Sequence, residues 1–275
     1  MKTDTIIPDE LLHFEVHPAA ADAPWMVFIH GAGGSTRTWK KQVAFFKGKF
    51  NLLLTDLRDH GESKGMPENY AGFGFDVVAS DVLHVMDSLE IREAHFVGVS
   101  MGSLIIRHLE QMAPDRVSSI VLAGGIFKMS RKLKVLVYSA RLLTGILPFH
   151  TLYRIFALIL LPKNNHVASR RVFIRESQKL RKKEVKKWLG LLKRLNTTLR
   201  EMFNHRITAP CLIVMGAEDH VFLKPAREYV ARYGNVLLET IEKCGHVCNI
   251  ESPAEFNRRC LRFIQGLEGQ KVKTM

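Results

Sequence analysis

Gly98, Val99, Ser100, Met101 and Gly102 follow one another in the pattern G-x-S-x-G. Glycines on either side of a serine let the backbone crowd together and force the hydroxyl outward. A serine hydroxyl is a poor nucleophile near neutral pH, so it attacks a carbonyl carbon only when a nearby base takes its proton. The chemistry in question is therefore acyl transfer. It needs an imidazole, a carboxylate to orient that imidazole, and backbone N–H groups to hold the oxyanion.

Such a serine must stand between a strand and a helix. The apolar run Ala94 to Val99 precedes it and a helical pattern from Met101 to Met112 follows, which is the strand, sharp turn and helix of a nucleophile elbow. Trp25 to His30, Asn51 to Asp56, Val117 to Ala123, Cys211 to Met215 and Asn235 to Ile241 are further apolar runs. Their near-continuous apolarity predicts strands buried on both faces. Helical patterns at Thr38 to Lys47, Phe73 to Leu89, Phe222 to Tyr233 and Pro253 to Leu267 lie between or after them. The alternation predicts an α/β fold with a doubly wound, mostly parallel sheet. Only His13 to His17 looks strand-like before Pro24, which predicts a short opening hairpin, and Glu268 to Met275 reads as a frayed polar tail. Between Ala123 and Pro210 the alternation stops for longer than a simple crossover allows. Residues 126–207 are expected to form a helical cap inserted into a core of residues 1–125 and 208–275.

The elbow, His30-Gly31-Ala32-Gly33-Gly34-Ser35, Asp56 to Ser63, Gly216-Ala217-Glu218-Asp219 and Gly245-His246 together resemble the α/β-hydrolase family, across nearly the whole chain outside the insertion. The resemblance implies Ser100 as nucleophile, His246 as base and Asp219 as the acid orienting it, in the family's order of serine, acid and histidine. Glu218 is the neighbouring alternative, and the family pattern favours the second acid of the pair. It further implies an oxyanion hole from the backbone N–H groups of Ala32 and Met101, with His30 shaping the loop that carries Ala32. Asp59 stands where relatives often have glycine, a departure within the Asp56 to Ser63 turn.

The chain has 275 residues and a net charge of +13. Residues 128–206 contain 20 Lys/Arg against 3 Asp/Glu, a net +17, while the remainder has 20 against 24, a net of −4. The basic side chains alternate with apolar ones at helical spacing, the pattern of solvated helix faces, so nucleic acid is not expected as a partner. Peripheral contact with an anionic membrane surface through the basic insertion, with Lys182, Lys183, Lys186 and Lys187 as the cations to test, is a second use of that charge. Leu142 to Leu161 is interrupted by Pro148, His150 and Arg154, and reads as a cap helix rather than a span. Met1 to Glu10 carries acidic residues where a signal peptide needs a basic start, which predicts a cytoplasmic location.

Cys211, Cys244, Cys248 and Cys260 read as reduced structural thiols. Cys244, His246 and Cys248 form a C-x-H-x-C cluster with no second ligand pair at finger-like spacing, so no metal is expected. Gly31 to Gly34 lacks the remaining spacing of a dinucleotide loop, and the chemistry needs no cofactor. The expected substrate is a small ester or related acyl compound of apolar character, with Val135 to Val137 and Ile155 to Leu161 offered as lining for an acyl channel. Thioester and carbon–carbon bond hydrolysis remain alternatives within the family, as does a ligand receptor that keeps the triad with little turnover.

Overall fold

The computed structural model of the chain describes residues 11–66, 72–143 and 146–274. The acidic segment Met1 to Glu10 lies outside them.

Among the described residues, seven strands form one sheet in the order β1-β3-β2-β4-β5-β6-β7: β1 (Phe14–His17), β2 (Trp25–Ile29), β3 (Asn51–Thr55), β4 (Ala94–Val99), β5 (Val117–Ala123), β6 (Cys211–Gly216) and β7 (Val236–Ile241). Every neighbouring pair is parallel except β1 with β3. The strand from β1 thus pairs antiparallel with β3, where the sequence suggested an opening hairpin. Of the inner strands, β3, β4 and β6 are buried at every position, as continuous apolar runs require. At the far edge, β7 is buried only at its ends, Val236 and Ile241, and partly exposed between them.

The helices are α1 (Lys40–Phe46), α2 (Phe75–Ser88), α3 (Met101–Met112), α4 (Arg131–Leu143), α5 (Phe149–Leu160), α6 (Val167–Ser177), α7 (Lys182–Leu191), α8 (Leu195–Asn204), α9 (Leu223–Tyr233), α10 (Cys248–Glu251) and α11 (Pro253–Thr274). Packing of α2 on α3, and of α1 on α11, covers the sheet on both sides. The last helix continues to Thr274 instead of ending in a frayed tail: no proline interrupts Glu268 to Thr274, and Glu, Gln and Lys are good helix formers. The stretch from Leu142 to Leu161 is two elements, because Pro148 caps a new helix, α5, after α4 has ended.

Among the described residues, five α-helices, α4 to α8, lie between β5 and β6. Their polar ties to the rest of the chain are spread along their length. Tyr153 Oη donates to the Ala32 carbonyl at 2.6 Å, Ser35 Oγ donates to Glu176 at 3.0 Å, and an Arg107 amino group of α3 donates to the His205 carbonyl at 3.0 Å. Lys187 Nζ lies 3.0 Å from Asp59 Oδ2, an ion pair without the alignment of a hydrogen bond.

Candidate active site

In a parallel sheet the carboxyl ends of the strands share one edge, and loops leaving that edge converge. Here β2 leads into His30 to Ala32, β4 into Ser100, β6 into Asp219, and β7 into His246. The elbow at Ser100 is tight. Its φ and ψ are 53° and −116°, a region L-residues avoid, and held only where surroundings over-determine it. Ser100 N–H donates to the Ala123 carbonyl of the adjacent strand at 2.9 Å. A Cβ at Gly98 would come within 2.5 Å of Ile106, and one at Gly102 within 2.3 Å of the Ile29 carbonyl oxygen. Both glycines of the motif are therefore required by close approach, one to the following helix and one to β2.

Ser100 Oγ lies 2.9 Å from His246 Nε2, and His246 Nδ1 lies 2.8 Å from Asp219 Oδ2. The other carboxylate oxygen, Oδ1, accepts the N–H groups of Phe222 at 2.9 Å and Val221 at 3.2 Å. Burial disfavours the charge on Asp219, but the imidazole and these two N–H donors outweigh it and hold the carboxyl below its ordinary range. An ionised carboxylate only accepts, so Nδ1 carries the ring proton and Nε2 presents its lone pair to the Ser100 hydroxyl. The Phe222 ring stacks on the imidazole, centroids 4.7 Å apart. Hydroxyl, imidazole and carboxylate in this order can move a proton from the oxygen to the ring and back.

Glu218, the neighbouring acid, turns elsewhere: its carboxylate accepts from Lys163 at 2.9 Å, Asn165 at 3.0 Å and His166 at 2.8 Å. Hydrogen bonds from Asn165 and Lys163 hold it down to about 2 against burial, with His166 adding to them. Between the two acids, only Asp219 reaches His246.

Met101 opens α3, and a first-turn N–H has no acceptor inside its own helix. Ala32 follows β2 on the loop whose shape His30 maintains. His30 Nδ1–H donates to the Gly31 carbonyl at 2.8 Å, and its Nε2 accepts the Leu57 N–H at 2.9 Å. Burial pushes the ring down to about 4, so it stays neutral and keeps both roles. The neighbouring Asp56 to Ser63 turn holds its shape with Asp59 at φ 68°, a left-handed conformation that aspartate tolerates better than most residues.

Three contributors carry no local sequence signal. Tyr153 fixes the peptide after Ala32 through its hydroxyl, as described above. Glu251 brackets the histidine, its Oε2 accepting the Gly245 N–H at 2.8 Å and its Oε1 the Val247 N–H at 2.9 Å. His166 is fully buried beside Glu218. Each sits far from, or several residues along from, the group it supports, and no spacing rule marks it. The four cysteines are buried and free.

Above Ser100 opens a cavity of about 230 Å³. Its walls come from the loop at Ala32, the start of α3 and the inner faces of α4, α5 and α7, including Leu136, Leu152, Phe156 and Trp188. No Asp, Glu, Lys or Arg lines it among the described residues. His60, which also lines it, is pushed down to about 3, chiefly by burial, and is uncharged. The expected lining is half right: Leu136, Val137 and Phe156 face the cavity, whereas Val135, Ile155, Leu158 and Ile159 are exposed.

Sequence and structure comparisons bear on the fold that carries these residues. The chain is 24% identical to 3-oxoadipate enol-lactonase 2 of Acinetobacter baylyi over 86% of its length and 87% of the relative's. It is 25% identical to an uncharacterized carboxylesterase of Bacillus subtilis strain 168, covering 90% of this chain and 81% of the relative. The crystal structure of an enol-lactonase from Burkholderia xenovorans LB400 superposes with a TM-score of 0.74 at 21% identity, over 92% of this chain and 96% of that one. The profile of the α/β-hydrolase fold matches residues 24–253, and with most of its length so matched, the chain belongs to the α/β-hydrolase fold family.

Proposed function

We propose that this hydrolase is a serine esterase for neutral substrates with an apolar acyl chain. The observation that carries the reading is an unbroken hydrogen-bonded relay from Asp219 through His246 to Ser100 opening into a cavity that, among the described residues, has no charged wall residue.

In this reading Ser100 Oγ attacks the ester carbonyl carbon while His246 Nε2 takes its proton. The carbonyl oxygen becomes an oxyanion held by the N–H groups of Ala32 and Met101. Collapse returns the carbonyl and expels the alcohol, which receives the proton from His246, leaving an acyl group on Ser100. Water, deprotonated by His246, then attacks the acyl-enzyme, and Ser100 leaves with the proton. Asp219 remains ionised throughout and stabilises the imidazolium. Residues 126–207 act as a cap whose inner face selects the acyl group.

The cavity also argues about charge. An oxoadipate lactone, the substrate type named for the Acinetobacter baylyi relative, bears a carboxylate. A carboxylate placed among Leu136, Leu152 and Phe156 would lose its hydration with no cation to replace it, which costs several kcal/mol, about 2–7 even for an uncharged polar group. An apolar chain gains roughly 0.8 kcal/mol per buried methylene.

The test is a series of aryl esters of rising acyl length, with the acidic half-ester of a dicarboxylate as the charged control. Expected are kcat/KM values that climb with chain length until the cavity is full, weak turnover of the half-ester, and loss of turnover and of fluorophosphonate labelling in Ser100→Ala. Turnover surviving in Ser100→Ala would overturn the mechanism, and a preference for the half-ester would overturn the substrate class.

A further inference from the structure

The helices α4 and α5 are apolar on two sides. Their inner sides, with Leu133, Leu136 and Val137 on one and Leu152, Tyr153 and Phe156 on the other, face the cavity over Ser100. Their outer sides also carry large apolar groups. Val135, Tyr138 and Leu142 share one stripe of α4 and are 66%, 63% and 74% exposed. Ile146, between the helices, is 73% exposed, and Ile155, Leu158 and Ile159 continue the outer side on α5. Seven of the eleven exposed large hydrophobic residues among the described residues therefore fall on this one hairpin. An apolar concentration of this kind marks an interaction surface.

Its charge identifies the partner. No Asp or Glu occurs from Arg116 to Arg175, and the exposed cations Arg131, Lys134 and Arg154 stand on the same two helices, while Lys132 donates to the His220 carbonyl at 3.0 Å. Large apolar groups interspersed with cations and free of acids suit the boundary between acyl chains and anionic headgroups. The basic helix α7 suits it less, since Lys187 is turned inward to Asp59 and over the Phe73 ring. No helix of the described residues is long and apolar enough to cross a membrane, so the contact is peripheral.

We propose that the outer side of the α4–α5 hairpin docks on an anionic lipid surface, and that the bilayer is the source of the apolar ester taken into the cavity over Ser100. The role of the bilayer as substrate source rests on the esterase reading, but the docking itself does not.

The experiment is co-sedimentation of the intact protein with vesicles of phosphatidylcholine alone or mixed with phosphatidylglycerol. Binding is expected to the mixed vesicles and to weaken as salt is raised. The double variant Val135→Asp/Leu142→Asp should bind at least tenfold more weakly while its hydrolysis of a soluble acetyl ester and its circular dichroism stay unchanged. Lys183→Glu/Lys186→Glu, on α7, should bind within about twofold of the parent, and Ser100→Ala should bind normally. Equal binding by the α4 variant, or loss of binding only in the α7 variant, would overturn the assignment. So would absence of vesicle binding together with a dimer that the α4 variant dissolves, which would give the face to a second copy of the chain. A failed esterase assay with intact vesicle binding would strike the catalytic reading alone.

Discussion

Nε2 of the buried His166 stands 2.8 Å from Oε2 of Glu218 and 3.5 Å from Oε2 of Glu251. Glu218 immediately precedes Asp219, and Glu251 holds the backbone on both sides of His246. One imidazole from the insertion therefore joins the two loops that carry Asp219 and His246.

Replacing that imidazole should disturb both loops at once. His166→Leu leaves two carboxylates facing a group that cannot donate, and the expected loss of stability is about 1–3 kcal/mol. Because Asp219 and His246 are aligned by these loops, kcat for a soluble acetyl ester should fall with KM little changed. Urea unfolding and steady-state kinetics on the same samples check this. A loss of stability with kcat intact would make His166 structural only.

The two adjacent acids should separate cleanly. Asp219→Asn removes the acceptor that keeps the proton on His246 Nδ1, and kcat should drop by about 10³–10⁴. Glu218→Gln removes charge from a cluster that does not touch the relay, so kcat should stay within about tenfold of the parent. Losses of similar size in the two variants, measured under single-turnover conditions, would contradict the proposed triad.

Tyr153 and Gly33 should act on the loop bearing Ala32. Tyr153→Phe leaves the Ala32 carbonyl without its donor in a buried setting, so kcat should fall by about tenfold, the equivalent of about 1.4 kcal/mol. Gly33 has φ +71°, and a Cβ there would lie 2.5 Å from the Tyr153 hydroxyl. Gly33→Ala should therefore be the more damaging change. Pairing it with Tyr153→Phe tests the clash: partial recovery of kcat is expected, and none would point to backbone strain alone.

Acid should weaken the fold through histidine. His30 and His60 sit at about 4 and about 3, against about 6.5 in an unfolded chain. Below about pH 6.5 the unfolded chain takes up protons that the folded protein refuses, so stability declines as pH falls. The decline ends for each ring near its folded value, and amounts to something on the order of 3 kcal/mol per ring. Glu218, held down to about 2, adds a loss of the same sign below about pH 4.5. Thermal midpoints between about pH 7 and pH 4 should drop, with a shallower slope in His60→Gln. An unchanged slope in that variant would count against His60 as a source.

Much of the molecule is decided by local pattern. Buried parallel strands must be apolar at almost every position, so β2 to β6 stand out as runs, and strands β4 and β5 end where the runs end. In G-x-S-x-G, Gly98 answers a local need, close approach to the helix that follows it, whereas Gly102 answers the approach of β2 from far along the chain. Other decisions depend on where distant groups lie. Glu218 and Asp219 are adjacent in a loop, and only the position of His246 on one side and Lys163, Asn165 and His166 on the other assigns each its direction. Helical periodicity in α4 and α5 says that one side is buried, but not against what, nor that the opposite side would also be apolar and exposed. Tyr153 and His166 have no signature for the same reason: a supporting side chain is selected by the gap it fills, and that gap exists only after the inserted helices have packed over the sheet's carboxyl edge.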